Sequence, residues 1–134
     1  MKRLLIGLLT IVALVFAVPA AADPPTAFTS VDVFPDVNPC TGNVNAVTIV
    51  ETGFFHEHGS RVVAYAERTI TTSDGFAGHG TDSFVDNGQV ILFRQTDILT
   101  NASGDRVRAR GVFVLDLSTD TVRIESFELS CLGP

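Results

Sequence analysis

Apolar and polar residues alternate in steps of two through almost the whole of residues 26–131. Such a period sends the apolar set of each strand to one face and the polar set to the other, and no window carries the i, i+3, i+4 stripe of an amphipathic helix. The stretch DRVRARGVFVLDLS (105–118) is the clearest case. Val107, Ala109, Gly111, Phe113, Leu115 and Leu117 fall on one face, and Arg106, Arg108 and Arg110 on the other. One face is expected to be core and the other wet.

The same reading gives strands in TAFTSVDVF (26–34), VNAVTIVETGFF (44–55), SRVVAYAERTITT (60–72), QVILFRQTDILT (89–100) and TVRIESFELSC (121–131). PDVNPCTGN (35–43) is a proline-bearing link, NASGD (101–105) a turn, and Asp86-Asn87-Gly88 a hairpin turn whose Asn and Gly tolerate positive φ. Gly59-Ser60 and Ser118 to Asp120 are also read as turns. SDGFAGHGTDSF (73–84) is glycine-rich and reads either as a bulged strand or as a loop over a barrel mouth. The fold class is thus all-β: an antiparallel meander of about seven or eight strands closed into a small barrel, with a sandwich as the runner-up. Closure would remove the exposed sheet edges.

Residues 1–22 read as a signal peptide, with Lys2 and Arg3 as the charged n-region, residues 4–18 as the apolar h-region, and Ala20, Ala21 and Ala22 as the cleavage site. The apolar run is shorter than the ~20 residues of a membrane-crossing helix. A secreted, extracellular protein is expected, with no membrane span after cleavage and one β-barrel domain over residues 23–134. Cleavage lowers Lys+Arg from 9 to 7 and leaves Asp+Glu at 15, a net charge of −8. Nucleic acid would be repelled by such a surface.

Cys40 and Cys131 are both in the mature part. An even pair in an exported chain is expected to form a disulfide, here closing a loop of roughly ninety residues and restricting the unfolded chain by ~4–5 kcal/mol. It would tie the start of the second strand to the end of the last.

NPCTG (38–42), TGFFH (52–56), the spaced glycines of GFAGHG (75–80) and the late cysteine of FELSC (127–131) resemble a group of uncharacterised small secreted bacterial proteins that share the Asn-Pro-Cys-Thr-Gly motif and a C-terminal cysteine. Members often carry an acidic residue after the glycine of that motif, where this chain has Asn43. The resemblance implies a compact β-barrel with a terminal disulfide and leaves function open.

Chemistry is sparse. In GFFHEHG (53–59), His56 and His58 share one face of a strand, as two ligands of a three-histidine zinc site do, and His79 is the third candidate. If the flanking turns are hairpins, however, His79 pairs near Thr69, at the far end of the next strand from the other two. The offset is about eight residues, or roughly 26 Å. An exposed strand end is therefore the favoured reading, and no cofactor is expected. No Gly-x-Ser-x-Gly elbow is present and both cysteines are expected to be oxidised, so nucleophilic catalysis has no candidate. Glu51, Glu67 and Asp97 are candidate inward acids, which would matter if two of them met. The stripe Arg106, Arg108 and Arg110 offers a face for an anion or a partner, with Glu125 or Asp97 as cross-strand partners.

The expected role is binding or interaction rather than catalysis. A barrel of this size is either filled or holds one small ligand. Phe54, Phe55, Tyr65, Phe76 and Phe93 are the residues expected to line a site for a small apolar molecule. The alternatives are a barrel lyase, isomerase or metal-assisted hydrolase using His56 and His58, and a structural, envelope-associated module meeting an extracellular protein. A monomer is expected.

Overall fold

The structure, a computed structural model, describes residues 23–134; the signal-peptide reading of residues 1–22 lies outside them. Seven strands follow one another: β1 (Thr26–Val37), β2 (Val44–His58), β3 (Arg61–Thr72), β4 (Ala77–Asp86), β5 (Val90–Thr100), β6 (Arg106–Asp116) and β7 (Thr121–Gly133). Each pairs antiparallel with the next, in one sheet of order β1-β2-β3-β4-β5-β6-β7. The all-β meander expected from the alternation is present. The ambiguous glycine-rich segment resolves into a turn at 73–75 and the strand β4.

The turns use the chemistry their residues offer. At Asp86-Asn87-Gly88 the glycine has φ +83°, and its N–H donates to Asp86 Oδ1 at 2.8 Å. Asn101 Oδ1 accepts from Ser103 N and Asp105 N, which closes the NASGD turn. The link between β1 and β2 is shorter than expected, because Pro35, Asp36 and Val37 still pair with Ala46, Asn45 and Val44. Pro35 is tolerated there because β1 is an edge strand, where a missing N–H need not break a ladder.

The sheet is not closed into a barrel. Among the described residues no ladder joins β1 to β7, so the expected closure is corrected to an open sheet. The sheet is nonetheless strongly curled. Cys40, in the β1–β2 link, and Cys131, in β7, would be about 25 Å apart across a flat sheet with strands ~4.8 Å apart. Their Cα atoms are 4.9 Å apart and the disulfide is formed, as expected. A covalent bond between the two edges thus stands where ladder hydrogen bonds would have completed a barrel.

Asn38 explains why the NPCTG motif suits that position. Its buried side chain accepts from Cys40 N at 2.8 Å and donates to Asp74 Oδ2 at 2.7 Å, while its carbonyl accepts from Gly42 N at 2.7 Å. Gly42 has φ +73°, which a side chain would resist. The motif is a knot that presents Cys40 to Cys131. Asp74 is part of it, its carboxyl held below the usual carboxylate range first by the Thr72 hydroxyl and then by the Asn38 amide.

The core lies on the concave face toward the disulfide end and is small: Ile49, Ile70, Phe76, Leu99 and Val107, with Val47, Leu129 and Cys40 packed against it. None of the larger side chains among the described residues is fully buried. A curled sheet whose concave side chains do not meet in the middle encloses space.

Candidate functional site

The strand registers set the concave side chains in rows that cross the sheet. The row nearest the disulfide runs Ile49 on β2, Ile70 on β3, Gly78 on β4, Leu99 on β5 and Val107 on β6, and is apolar throughout. The next runs Ser30, Glu51, Arg68, Gly80, Asp97, Ala109 and Leu129 from β1 to β7. Further from the disulfide come the row containing Ala66, Asp82, Gln95 and Gly111 and a row with Phe55, Phe84, Phe93 and Phe113.

Gly80 makes the charged row possible. Arg68 on β3 and Asp97 on β5 are separated by β4, and the residue of β4 between them has no side chain. A Cβ at Gly80 would stand 1.8 Å from Asp97 Oδ1, so the space above the glycine is already occupied by the carboxylate. Arg68 Nη1 reaches Asp97 Oδ2 at 3.3 Å across that gap, and Arg68 Nε lies 3.3 Å from Glu51 Oε1. Ser30 Oγ donates to Glu51 Oε2 at 3.4 Å. Arg68 is 6% exposed and Asp97 3%. A charge so buried is costly unless it is paired, and here two acids flank one guanidinium.

The pairing is incomplete. Arg68 Nε and Nη1 are within ion-pair range of their acids yet have no aligned hydrogen-bond acceptor, and Asp97 Oδ1 has no donor. Burial raises the Asp97 carboxyl above its ordinary pKa, against the pull of Arg68. Asp82, one row away, is pushed up to about 6, first by burial and then by the Glu51 carboxylate.

The Glu51, Arg68 and Asp97 cluster bounds a cavity of about 480 Å³. Its walls come from the apolar row, Phe76 and Leu129, and Glu51, Arg68 and Asp97 belong to its lining together with Gln95. Val33, Phe34 and Val37 of β1 and Phe127 of β7 line it too, and all four are exposed, Val33 by 67% and Phe127 by 61%. The mouth is therefore the gap between the two sheet edges. The missing β1–β7 ladder is the entrance.

The residues singled out by sequence fall on both sides of this arrangement. Of the five aromatics expected to line the interior, Phe76 lines the cavity; Phe55 and Phe93 lie on the concave side in the row beyond Asp82, and Phe54 and Tyr65 pair with each other on the convex face, 57% and 49% exposed. Neighbours in a strand cannot share a face, so Phe54 and Phe55 part. His56 and His58 are opposite Val63 and Arg61, while His79 is opposite Thr69, at the other end of β3. All three are on the convex face. Among the described residues no group of three or more His, Cys, Asp or Glu could hold a metal ion.

Arg106, Arg108 and Arg110 share the convex face as expected, but their acid is neither Asp97 nor Glu125. Asp97 is turned to the cavity, Glu125 is opposite Phe113, and Arg108 Nη2 donates to Glu128 Oε1 at 2.9 Å. That bond, ahead of the Arg108 charge itself, holds the Glu128 carboxyl below its usual range. Of the three candidate inward acids, Glu51 and Asp97 meet at Arg68; Glu67, next to Arg68, is on the opposite, exposed face.

Arg68 is the residue that sequence reasoning misses, although its signal is present. In RVVAYAERTITT the positions in phase with Val62, Ala64, Ala66 and Ile70 hold an arginine at 68. The core phase of β5 carries one acid, Asp97, in the same way, and that of β2 carries Glu51 in its middle, with Glu57 at its exposed end. A charge within the apolar phase of three neighbouring strands marks a buried polar cluster.

No protein-family model, curated protein or solved structure matches the chain.

Proposed function

We propose that the protein is an exported binding module that takes a small apolar molecule into the cavity behind the β1–β7 gap. The observation that carries this reading is the cavity itself, about 480 Å³, walled by aliphatic side chains and bordered by exposed apolar residues at its mouth. Concave, largely apolar sites with a few convergent polar groups are what small-molecule binding uses. The export address rests on the N-terminal pattern and agrees with a disulfide, a bond that persists in oxidising compartments. It also agrees with the resemblance of the NPCTG motif to a secreted bacterial group. His56 and His58, on the other face, take no part in this reading.

The test is titration of the oxidised protein with N-phenyl-1-naphthylamine, an uncharged apolar fluorophore. Saturable enhancement at one site per chain is expected, lost in Ala109→Phe, which fills the cavity, and kept in Phe54→Ala on the convex face. Absence of saturable binding, or equal binding by a folded Ala109→Phe variant, sinks the proposal.

A further inference from the structure

Seven strands, each antiparallel to the next, leave β1 and β7 running in the same direction. A direct ladder between them would be the one parallel pair of an antiparallel meander, whereas an eighth strand set between them would be antiparallel to both. The gap has the width for it. Among the described residues no Cα of β1 lies within 8 Å of a Cα of β7, while Cys40, three residues beyond β1, is 4.9 Å from Cys131 by Cα. Three Cα steps span at most ~11 Å, so Val37 stands between 8 Å and about 16 Å from Cys131. One inserted strand needs ~9.6 Å, twice the ~4.8 Å spacing of paired strands.

We infer that the gap takes an extended, cationic segment of a partner protein as an eighth strand, paired with residues 26–34 of β1 and 121–130 of β7. An edge strand presents unpaired N–H and C=O groups, and here two such edges border one cavity. The disulfide closes one end of the gap, and Pro35, without an N–H, ends the usable part of β1. Val31, Val33 and Phe34 on one edge and Ile124 and Phe127 on the other are exposed and would be covered by the entering strand. The charge of the occupant follows from the acids. Arg123 is paired with Asp116 and Glu128 with Arg108, which leaves Asp32 and Asp36 on β1 and Glu125 on β7 without a salt bridge among the described residues. All three are negative, so the complementary segment carries basic residues among its apolar ones. A folded second copy does not fit. Its β1 and β7 are each already bonded on one side, and only a segment free on both sides pairs with two edges. Insertion depends on the edges and is independent of whether a small molecule enters the cavity.

Titration of the oxidised protein with an acetylated, amidated peptide of five Val-Lys repeats tests this, read by hydrogen exchange of the protein's amides. Saturable binding at one peptide per chain is expected, with exchange slowed about tenfold or more in both β1 and β7 and unchanged in β4. A Val-Glu peptide of the same length should bind about tenfold more weakly at low salt. Two further Val-Lys peptides, N-methylated on every valine or on every lysine, each block one edge of the strand, so each should also lose about tenfold or more in affinity. No saturable binding of the Val-Lys peptide overturns the insertion, and so does a loss confined to one methylated peptide, which marks docking on a single edge. Equal binding of the Val-Glu peptide overturns the cationic preference. Protection of both edges in the protein alone, rising with its concentration, overturns the inference by assigning them to a second copy. The fluorophore titration is read without peptide, so its outcome bears on the cavity alone.

Discussion

Toward the disulfide end, β3 buries Ala66, Arg68 and Ile70 and exposes Glu67, Thr69 and Thr71 between them. Toward the hairpin turns at the opposite end, β5 begins with Val90, Ile91, Leu92 and Phe93, four consecutive residues all half-buried, and β6 does the same over Val112, Phe113, Val114 and Leu115. The same meander therefore behaves in two ways. Near the disulfide the curl makes one face an interior and leaves the other in water, so space is enclosed and charges can be sequestered. Near the hairpins both faces are partly covered and neither is an interior. Chemistry that needs shielding from water has a place at the first end, which is where Glu51, Arg68 and Asp97 stand, and His56 and His58 belong to the second.

If the disulfide creates this asymmetry, breaking it should have the largest effect. Cys40→Ser with Cys131→Ser should lower stability by ~4–5 kcal/mol, the chain-entropy value for a loop of this length. Urea unfolding of the variant against the oxidised parent measures the loss. Fluorophore binding by the variant, where it remains folded, should fall as well, because the cavity edges are no longer tied. A loss no larger than that of a surface substitution would mean that strand pairing alone maintains the curl.

A pair of leucines compares the two ends directly. Leu99, in the apolar row and 6% exposed, should cost ~2–4 kcal/mol when truncated to alanine. Leu92, half-buried at the hairpin end, should cost about 1 kcal/mol by the same substitution, since less of its surface leaves water on folding. Equal costs would show that the hairpin end holds a second true core and would erase the distinction drawn between the ends.

Gly80→Ala probes the charged row alone. The added methyl collides with the Asp97 carboxylate and with the Thr96 carbonyl, so ~1–3 kcal/mol should be lost through overpacking. Asp97 should also be displaced from Arg68. Urea unfolding measures the loss. A neutral Gly80→Ala would mean that the row is not as closely fitted as its register implies.

Most of the meander is legible in the sequence because period two and turn chemistry are local signals: Asp86-Asn87-Gly88 and Gly59-Ser60 mark their hairpins without reference to anything distant. The Cys40–Cys131 bridge is legible for a different reason, since two cysteines in an oxidised chain leave one pairing. Closure is not legible, because whether β1 meets β7 depends on curl summed over seven strands and no residue of either edge records it. The charged row lies between these cases. Glu51 and Asp97 can be assigned to core phases strand by strand, but their meeting at Arg68 depends on three registers and on the absence of a side chain at Gly80.

The smallest expected effect separates the two ends by pH. Asp82 has a folded pKa of about 6 against an ordinary 3.8, so between roughly pH 4 and 6 the folded protein holds a proton that the unfolded chain has released. Stability from this group is therefore lost as pH rises through that window, and Asp97, whose pKa is also raised, acts in the same direction. Asp74, Asp116 and Glu128 are lowered instead, so their contributions are complete above their unfolded values and disappear only as pH falls below them. Between pH 5 and 7 the group that sets the slope is Asp82, one row from the cavity acids. Asp82→Asn should thus flatten the decline in urea midpoint between those two pH values and stabilise the protein at pH 7 by about 1 kcal/mol or less, after discounting for the partial exposure of the group. Glu128→Gln should leave that decline unchanged and act only in acid. Were Asp82→Asn to leave the slope intact as well, the proton taken up on folding would have to reside elsewhere in the charged row, with Asp97 the next group to replace.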